Sequence, residues 1–330
     1  MVAAEAGVSV STVSKVLNGR VDVSAETKER VATVMAALGY RRRPARRPGT
    51  AVELVLNEID SLWSVEIIRG VEETLRAAGA TLVLSAVHGR DADTRQWLDG
   101  LADRRSGGAI LVVAGLTPHQ GRRLTALDVP LVLIDPVGDT DPRVPAVGAT
   151  NWAGAVGATR HLVDLGHRRI AHLAGPPGPQ CSRARADGYR AVLEREGLPV
   201  PEGHLTHGDF TDASGRRETA RLLDTLDAAG QPPPTALFAA SDLQALGAIE
   251  VLRARGHRVP EDVSVVGFDD LPVARWSHPQ LTTVRQPLHA MAATAARTLL
   301  DLLDGEPAGA RRVELATDLI VRASTAPPAG

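Results

Sequence analysis

From residue 51 to about residue 325, short apolar runs alternate with amphipathic stretches, and this alternation constrains the fold more than any other feature. Val52-Glu53-Leu54-Val55-Leu56, Thr81 to Ala86, Ala109 to Val113 and Leu131 to Ile134 read as strands, with helices over 67–78 and 94–102 between them. Beyond residue 150 the series resumes with a helix to Leu165, a strand from Ile170 to Leu173 and a helix over 183–196. A strand near 205, a helix over 215–228, a strand from Ala236 to Ala239, a helix over 243–255 and a strand from Val263 to Val266 follow. Strands that alternate with helices predict parallel sheets covered on both faces, the α/β class. The series is too long for one sheet, so two similar lobes are expected, with ligands bound beyond the carboxyl ends of the strands.

Composition narrows the class further. No apolar run approaches the roughly 18–20 residues of a membrane helix, and the N-terminus carries no basic start followed by an apolar stretch. The single cysteine, Cys181, excludes an internal disulfide framework and an all-cysteine zinc site. A cytoplasmic chain without membrane contact is expected. The nine aromatic residues are few enough that the core must be built from Leu, Val, Ile and Ala, so the position of each aromatic is informative. Charge is unevenly spread: residues 1–50 carry nine basic and four acidic groups, while the remainder is acidic by seven. A small basic head on an acidic body suits contact with a polyanion.

The head reads as three short helices. Val2 to Ala6 is helical in propensity and stops at Gly7, and Ser9 supplies an N-cap oxygen for a helix from Val10 to Leu17. At about 100° per residue, Val13, Val16 and Leu17 share one face, with Ser11, Ser14, Lys15 and Asn18 opposite. Ser24 caps a third helix whose apolar stripe is Val31, Val34, Met35 and Leu38. Two helices joined through a glycine-containing turn, the second with a polar face, form a helix-turn-helix.

The wording of this segment is tighter than the generic pattern. Ala6-Gly7-Val8-Ser9-Val10-Ser11-Thr12-Val13-Ser14-Lys15-Val16-Leu17-Asn18-Gly19 resembles the DNA-reading signature of the LacI/GalR family of bacterial repressors. Val23-Ser24-Ala25-Glu26-Thr27 and Leu38-Gly39-Tyr40 resemble that family's third helix. The resemblance implies base reading by Val10, Ser11 and Lys15; a lysine can donate to guanine and an apolar side chain can touch a thymine methyl. Ser9, Thr12, Ser14 and Asn18 are then suited to phosphates. Two departures stand out. The family has about one more turn ahead of Val2. Its hinge helix, with a leucine wedge, is replaced over 41–50 by Arg41-Arg42-Arg43-Pro44-Ala45-Arg46-Arg47-Pro48-Gly49, whose prolines oppose a continuous helix. Arg46 and Arg47 are expected to meet phosphates or a narrow minor groove.

The body extends the resemblance over nearly the whole chain, through Val265-Val266-Gly267-Phe268-Asp269-Asp270, Pro279-Gln280-Leu281-Thr282-Thr283-Val284-Arg285-Gln286-Pro287, Leu165-Gly166-His167-Arg168-Arg169-Ile170, Arg183-Ala184-Arg185-Ala186-Asp187-Gly188-Tyr189 and Ala240-Ser241-Asp242. It implies a helix-turn-helix DNA-binding domain over 1–40, a basic linker over 41–50 and a two-lobed core like that of periplasmic sugar-binding proteins. One lobe would be 51–149 with 281–314, the other 150–280 with 315–325. Arg185 matches the family's effector-gripping arginine, Asp269 its carboxylate partner and Gln286 a pocket-edge position.

A polyol ligand wants bidentate polar groups and a flat apolar face. Asn57 and Asp60 follow the first strand, Asp135 follows the fourth, and Asn151 sits at the first crossing between lobes. Ser241 and Asp242 follow the strand ending at Ala240, although these two and Asn151 equally suit helix capping. Trp63, Trp152, Trp276 and Phe210 fall after strands or at crossings and suit stacking on sugar rings or rim packing, whereas Trp97 reads as a helix-face residue. No GxGxxG follows a strand, and GxxxxGK[ST], GxSxG and HExxH are absent, so no cofactor, metal or catalytic residue is expected. The expectation is a regulator binding a palindromic DNA operator as a homodimer, with a mono- or oligosaccharide effector. A sugar-active enzyme using Asp135 with Asp269 is the alternative, and a sugar-transport binding protein the third.

Overall fold

The computed structural model describes residues 2–9, 12, 13, 16, 24–37, 50–88, 91–103, 106–112, 118–126, 129–136, 141 and 143–329. The chain forms two compact units, Met1–Arg47 and Pro48–Gly330.

In the first unit, α1 (Val2–Glu5) ends at Gly7, whose φ of 64° lies in the left-handed region that glycine enters freely. The next helical turn is capped as its sequence predicts. Ser9 Oγ accepts from the Thr12 amide at 3.0 Å and bonds the Thr12 hydroxyl at 2.8 Å. α2 (Ala25–Ala37) is capped alike, Ser24 Oγ accepting from the Thr27 amide. Ala6, Val13 and Val31 form a buried core, with Ala3, Val8, Val16 and Val34 packed around it. Val10, Ser11, Ser14, Lys15, Asn18, Arg46 and Arg47 lie outside the described residues, as does the linker over 41–49.

The second unit holds two six-stranded sheets. The first is built from β1 (Ala51–Leu56), β2 (Thr81–Ala86), β3 (Gly108–Val112), β4 (Leu131–Ile134), β5 (Ala146–Ala149) and, far along the chain, the strand Arg312–Leu315. Its helices are α3 (Leu62–Ala77), α4 (Asp91–Asp103) and α5 (Pro118–Ala126). The chain continues through α6 (Asn151–Asp164), β6 (Ile170–Ala174), α7 (Gln180–Arg195), β7 (Leu205–His207), α8 (Asp212–Ala228), β8 (Ala236–Ala239), α9 (Asp242–Ala254), β9 (Ser264–Asp269) and α10 (Pro272–Trp276). It closes with β10 (Thr282–Arg285), α11 (Leu288–Leu303), β11 (Arg312–Leu315) and β12 (Asp318–Ile320). The strand orders are β11-β5-β4-β3-β1-β2 and β12-β10-β9-β8-β6-β7, parallel throughout except where β12 runs against β10.

The uninterrupted apolar runs predict strands buried on both faces, and β4, β8 and β9 are buried along their whole length. Helices pay out one apolar stripe each: Ile67, Val71 and Leu75 of α3 pack with Met291, Ala292, Ala295 and Leu299 of α11 over the first sheet. That contact places α11 in the first lobe although β10, just before it, belongs to the second.

The lobe boundaries therefore need correcting. Thr282–Arg285 is an interior strand of the second sheet, paired with β9 on one side and β12 on the other. The chain crosses back after Arg285, not at 280/281, and its last crossing follows Leu315 instead of preceding it. Two of the three crossings are tied together: Thr150 Oγ1 lies 3.0 Å from Thr317 Oγ1 and accepts from the Thr317 amide at 3.0 Å. No helix among the described residues is long and apolar enough to cross a membrane.

Candidate functional site

The carboxyl ends of β1, β3, β4, β8 and β9 converge on a cavity of about 260 Å³ between the two lobes. The first lobe contributes Asn57, Glu58, Ser61, Trp63 and Asp135; the second contributes Cys181, Arg185, Asp209, Phe210, Ser241 and Asp269.

Arg185, on the second turn of α7, is the centre of this wall and is 3% exposed. Its Nε donates to Asn151 Oδ1 at 2.9 Å and its Nη1 to the Ala240 carbonyl at 2.5 Å. The guanidinium lies on the Phe268 ring, 3.7 Å from its centroid, with Phe210 at 5.6 Å and Asp269 Oδ1 at 3.8 Å. A buried arginine is tolerated because carbonyls, a carboxylate and a ring face replace its water. Asn151, expected in the pocket, instead holds Arg185, and its own Nδ2 donates to the Ala149 carbonyl.

The loops around the cavity are fixed by caps. Ser61 Oγ accepts from the Ser64 amide at 3.1 Å, and Ser64 Oγ donates to the Glu58 carbonyl, which sets the 57–61 turn. Thr211 caps α8 and donates to Asp209 Oδ1. Ser241 caps α9 as its capping reading predicts, donates to the Phe210 carbonyl at 2.7 Å, and also borders the cavity. Phe210, Asp135 and Asp269 have φ of 69°, 45° and 115°, conformations unfavourable for a side chain. Such strain persists only where surrounding contacts impose it, and here three strained residues line one cavity.

Two carboxyl groups approach the cavity from opposite lobes. Burial pushes Asp135 up to about 6, against the pull of the Arg185 charge and a hydrogen bond from Ala149, while the Glu314 charge adds to the rise. Burial pushes Asp269 up to about 7, opposed by Arg185 and by Gln286 Nε2, which donates to Asp269 Oδ1 at 2.6 Å. Burial also holds the Cys181 thiol up at about 12, so it is not a ready nucleophile at neutral pH. Asn57 Oδ1 is buried and unpartnered among the described residues, leaving an acceptor at the cavity wall.

Other expected site residues stand elsewhere. Asp242 is fully buried, accepts from the Leu271 amide and the Thr283 hydroxyl, and joins α9 to the start of α10 and to β10. Asp60 is exposed and not among the cavity residues. Gln286 reaches the cavity only through Asp269. Trp276 is 73% exposed on a separate surface hollow beyond α10. Trp152 borders a second space behind the cavity. Trp97 is buried and donates to Glu53 Oε2. Glu58, Asp209 and Leu243 border the cavity without any sequence signal beyond their place after strands or in a first helical turn. Among the described residues no group of three or more His, Cys, Asp or Glu side chains is placed to hold a metal. The wall as built offers a fixed planar donor, carboxylate and amide acceptors and aromatic faces, the chemistry of polyol recognition.

Known proteins agree with this architecture. The profile described as "Bacterial regulatory proteins, lacI family" matches residues 2–43, and that of a "Periplasmic binding protein-like domain" matches residues 159–325. The transcriptional regulator CelR of Thermobifida fusca is 39% identical over 337 residues, covering 98% of this chain and 97% of its own. The solved CelR–cellobiose complex superposes with a TM-score of 0.78 at 37% identity, covering 98% of both chains. The lac repressor dimer bound to operator and the anti-inducer ONPF gives 0.74 at 29% identity, again over 98% of both. Its relatives are transcriptional regulators and not enzymes, and by this shared sequence and fold the chain belongs to the lacI family of bacterial regulatory proteins.

Proposed function

We propose that this protein represses sugar uptake or catabolism genes. It binds a palindromic operator as a homodimer in the cytoplasm and responds to a mono- or oligosaccharide held between its lobes. The observation that carries the sugar reading is the Arg185 clamp: a buried guanidinium on the Phe268 ring, flanked by Asp269 and open to a cavity with Asn57, Asp135 and Trp63 on its far side. Hydroxyl pairs on a ring satisfy such groups, and the CH face of the ring suits the aromatics. The cellobiose-bound CelR structure supports the same class of effector. Val10, Ser11 and Lys15 read bases, and Ser9, Thr12, Ser14, Asn18, Arg46 and Arg47 hold phosphates. Effector binding at Arg185, Asp269, Asp135, Asn57, Phe210, Ser241 and Trp63 changes the relation of the lobes. A coupling of about 1–3 kcal/mol is enough to switch operator occupancy.

Selection from a randomised duplex pool tests this reading, followed by gel shift of the enriched duplex with glucose, cellobiose and maltose. An enriched palindrome whose complex responds to one of these sugars is expected. Recovery of no common sequence would overturn the regulator reading, and a palindrome indifferent to every sugar would overturn the sugar effector.

A further inference from the structure

Behind the inter-lobe cavity lies a second, larger space of about 690 Å³. It runs along β5 and β11 to the first turns of α6 and α7. Asp135 and Cys181 border both spaces. One comes from the first lobe and the other from the second, so the two spaces adjoin where the lobes face each other.

The far wall of this groove carries Trp152, which is 51% exposed although its neighbour Asn151 is buried and engaged by Arg185. Hydrogen bonding therefore accounts for Asn151, while Trp152 is left half exposed where it borders the groove. Gln180 borders the groove with Trp152, and Arg312 and Glu314 border it from β11 of the other lobe. An aromatic residue and charged and amide groups border one space, the same kinds of residue that line the inner cavity. The inner cavity, at about 260 Å³, is less than half the size of the groove it adjoins, so the larger share of the inter-lobe space lies on the Trp152 side.

We propose that the effector is a neutral disaccharide or longer oligosaccharide that passes between Asp135 and Cys181, with one ring on the Arg185 clamp and the next stacked on Trp152 in the hinge-side groove. This rests on the reading of the inter-lobe cavity as a sugar site. The groove makes Trp152 a determinant of chain length, separate from the groups that grip the first ring.

Calorimetric titration of the full chain with glucose, cellobiose, maltose and cellotriose tests it, using the wild type, Trp152→Ala and the groove-filling Ala184→Trp. The wild type is expected to bind one of the oligosaccharides about tenfold or more tighter than glucose, the scale of one added aromatic contact. Both variants, with thermal melts matching the wild type, are expected to lose most of that preference. Glucose binding as tightly as every oligosaccharide, or a preference that survives both variants, would overturn the proposal. Absence of heat with all four sugars, from protein that still shifts its operator duplex, would instead remove the sugar reading and this proposal with it.

Discussion

The Arg185 guanidinium carbon lies 3.7 Å from the centroid of the Phe268 ring, and Phe268 is fully buried. Because Asp269 follows Phe268 on β9, one strand end supplies both the ring under the cation and the carboxylate beside it. A desolvated contact of this kind is worth about 2 kcal/mol. Lysine keeps the charge but lacks the planar fork that reaches Asn151 and Ala240 while lying on a ring. Arg185→Lys is therefore expected to weaken effector binding by about tenfold or more, and Arg185→Ala to abolish the effector response, while both still bind operator. Operator release by the same sugar dose in Arg185→Ala would take the clamp out of the effector site.

Asp135 and Asp269 give the core a defined pH dependence. An unfolded aspartate titrates near 3.9, whereas burial keeps the folded groups protonated to about 6 and about 7. Between those limits the folded state binds more protons than the unfolded state, so stability falls as pH rises. The contribution is complete below about pH 4 and is lost by about pH 7. Asp269→Asn should flatten the decline of Tm from pH 5 to 8 and melt above the wild type at pH 8. An unaltered Tm–pH slope in the variant would assign the titration to other groups.

How far the sequence could be read follows from which contacts are local. β8, Ala-Leu-Phe-Ala, is legible because a short apolar run bounded by turns suffices to mark a buried strand. β5, with Gly148 in a run of small residues, and β11, with its exposed-to-half-buried alternation Arg-Val-Glu-Leu, give no such run; β5 is defined by pairing with β4 and β11, and β11 by pairing with β5 across the chain. The lobe to which β10 belongs is likewise a property of its pairing with β9 and β12. At the site, Arg185 and Asp269 were legible through the family resemblance, and Asn57 and Asp135 through their place after strands. Of the tryptophans expected near the cleft only Trp63 borders the inner cavity, because a residue number after a strand end does not say which way the following turn carries the ring. Asp242 and Asp269 look alike in sequence, yet one is consumed by the Leu271 amide and Thr283 and the other faces the cavity.

The crossing of α8 and α9 depends on an absent side chain. A Cβ at Gly247 would sit 2.1 Å from the Asp212 carbonyl oxygen, and backbone cannot rotate away as a side chain can. Gly247→Ala must push the helices apart and is expected to destabilise the second lobe by about 1–3 kcal/mol. Denaturant unfolding reads this directly, and an unchanged midpoint would show that the two helices separate without cost.

Asp270 carries a load behind the site. Its side chain is 1% exposed and accepts from Arg285 Nε at 2.8 Å and Arg322 Nη2 at 2.5 Å, with Arg275 at 3.6 Å. Arg275 and Arg285 are half exposed and can turn to water, but Arg322 is 11% exposed and would be left with only the Leu281 carbonyl. Asp270→Ala should therefore cost about 3 kcal/mol, the low end for breaking a buried pair. Adding Arg322→Leu should recover part of the loss. Equal melting of Asp270→Ala and the double variant would mean that Arg322 is not the stranded charge.

Operator binding offers a prediction from charge alone. Residues 1–50 carry nine basic groups against four acidic ones, and Arg46 and Arg47 stand in a sequence between Pro44 and Pro48, residues that oppose a continuous helix. Basic side chains that neutralise phosphates release counterions, each lowering the slope of log affinity against log salt by about 0.9. Replacing Arg46 and Arg47 with glutamine should shrink that slope by up to about 1.8 and weaken all duplexes alike. Lys15→Ala should do something different, relaxing the choice at one base pair at a cost of about 1–3 kcal/mol for the preferred base. Filter binding across a salt series, on the selected operator and on single-base variants of it, separates the two effects. A salt slope unchanged by the arginine replacements would place the linker away from the phosphates, and an undiminished base preference in Lys15→Ala would remove that lysine from base reading.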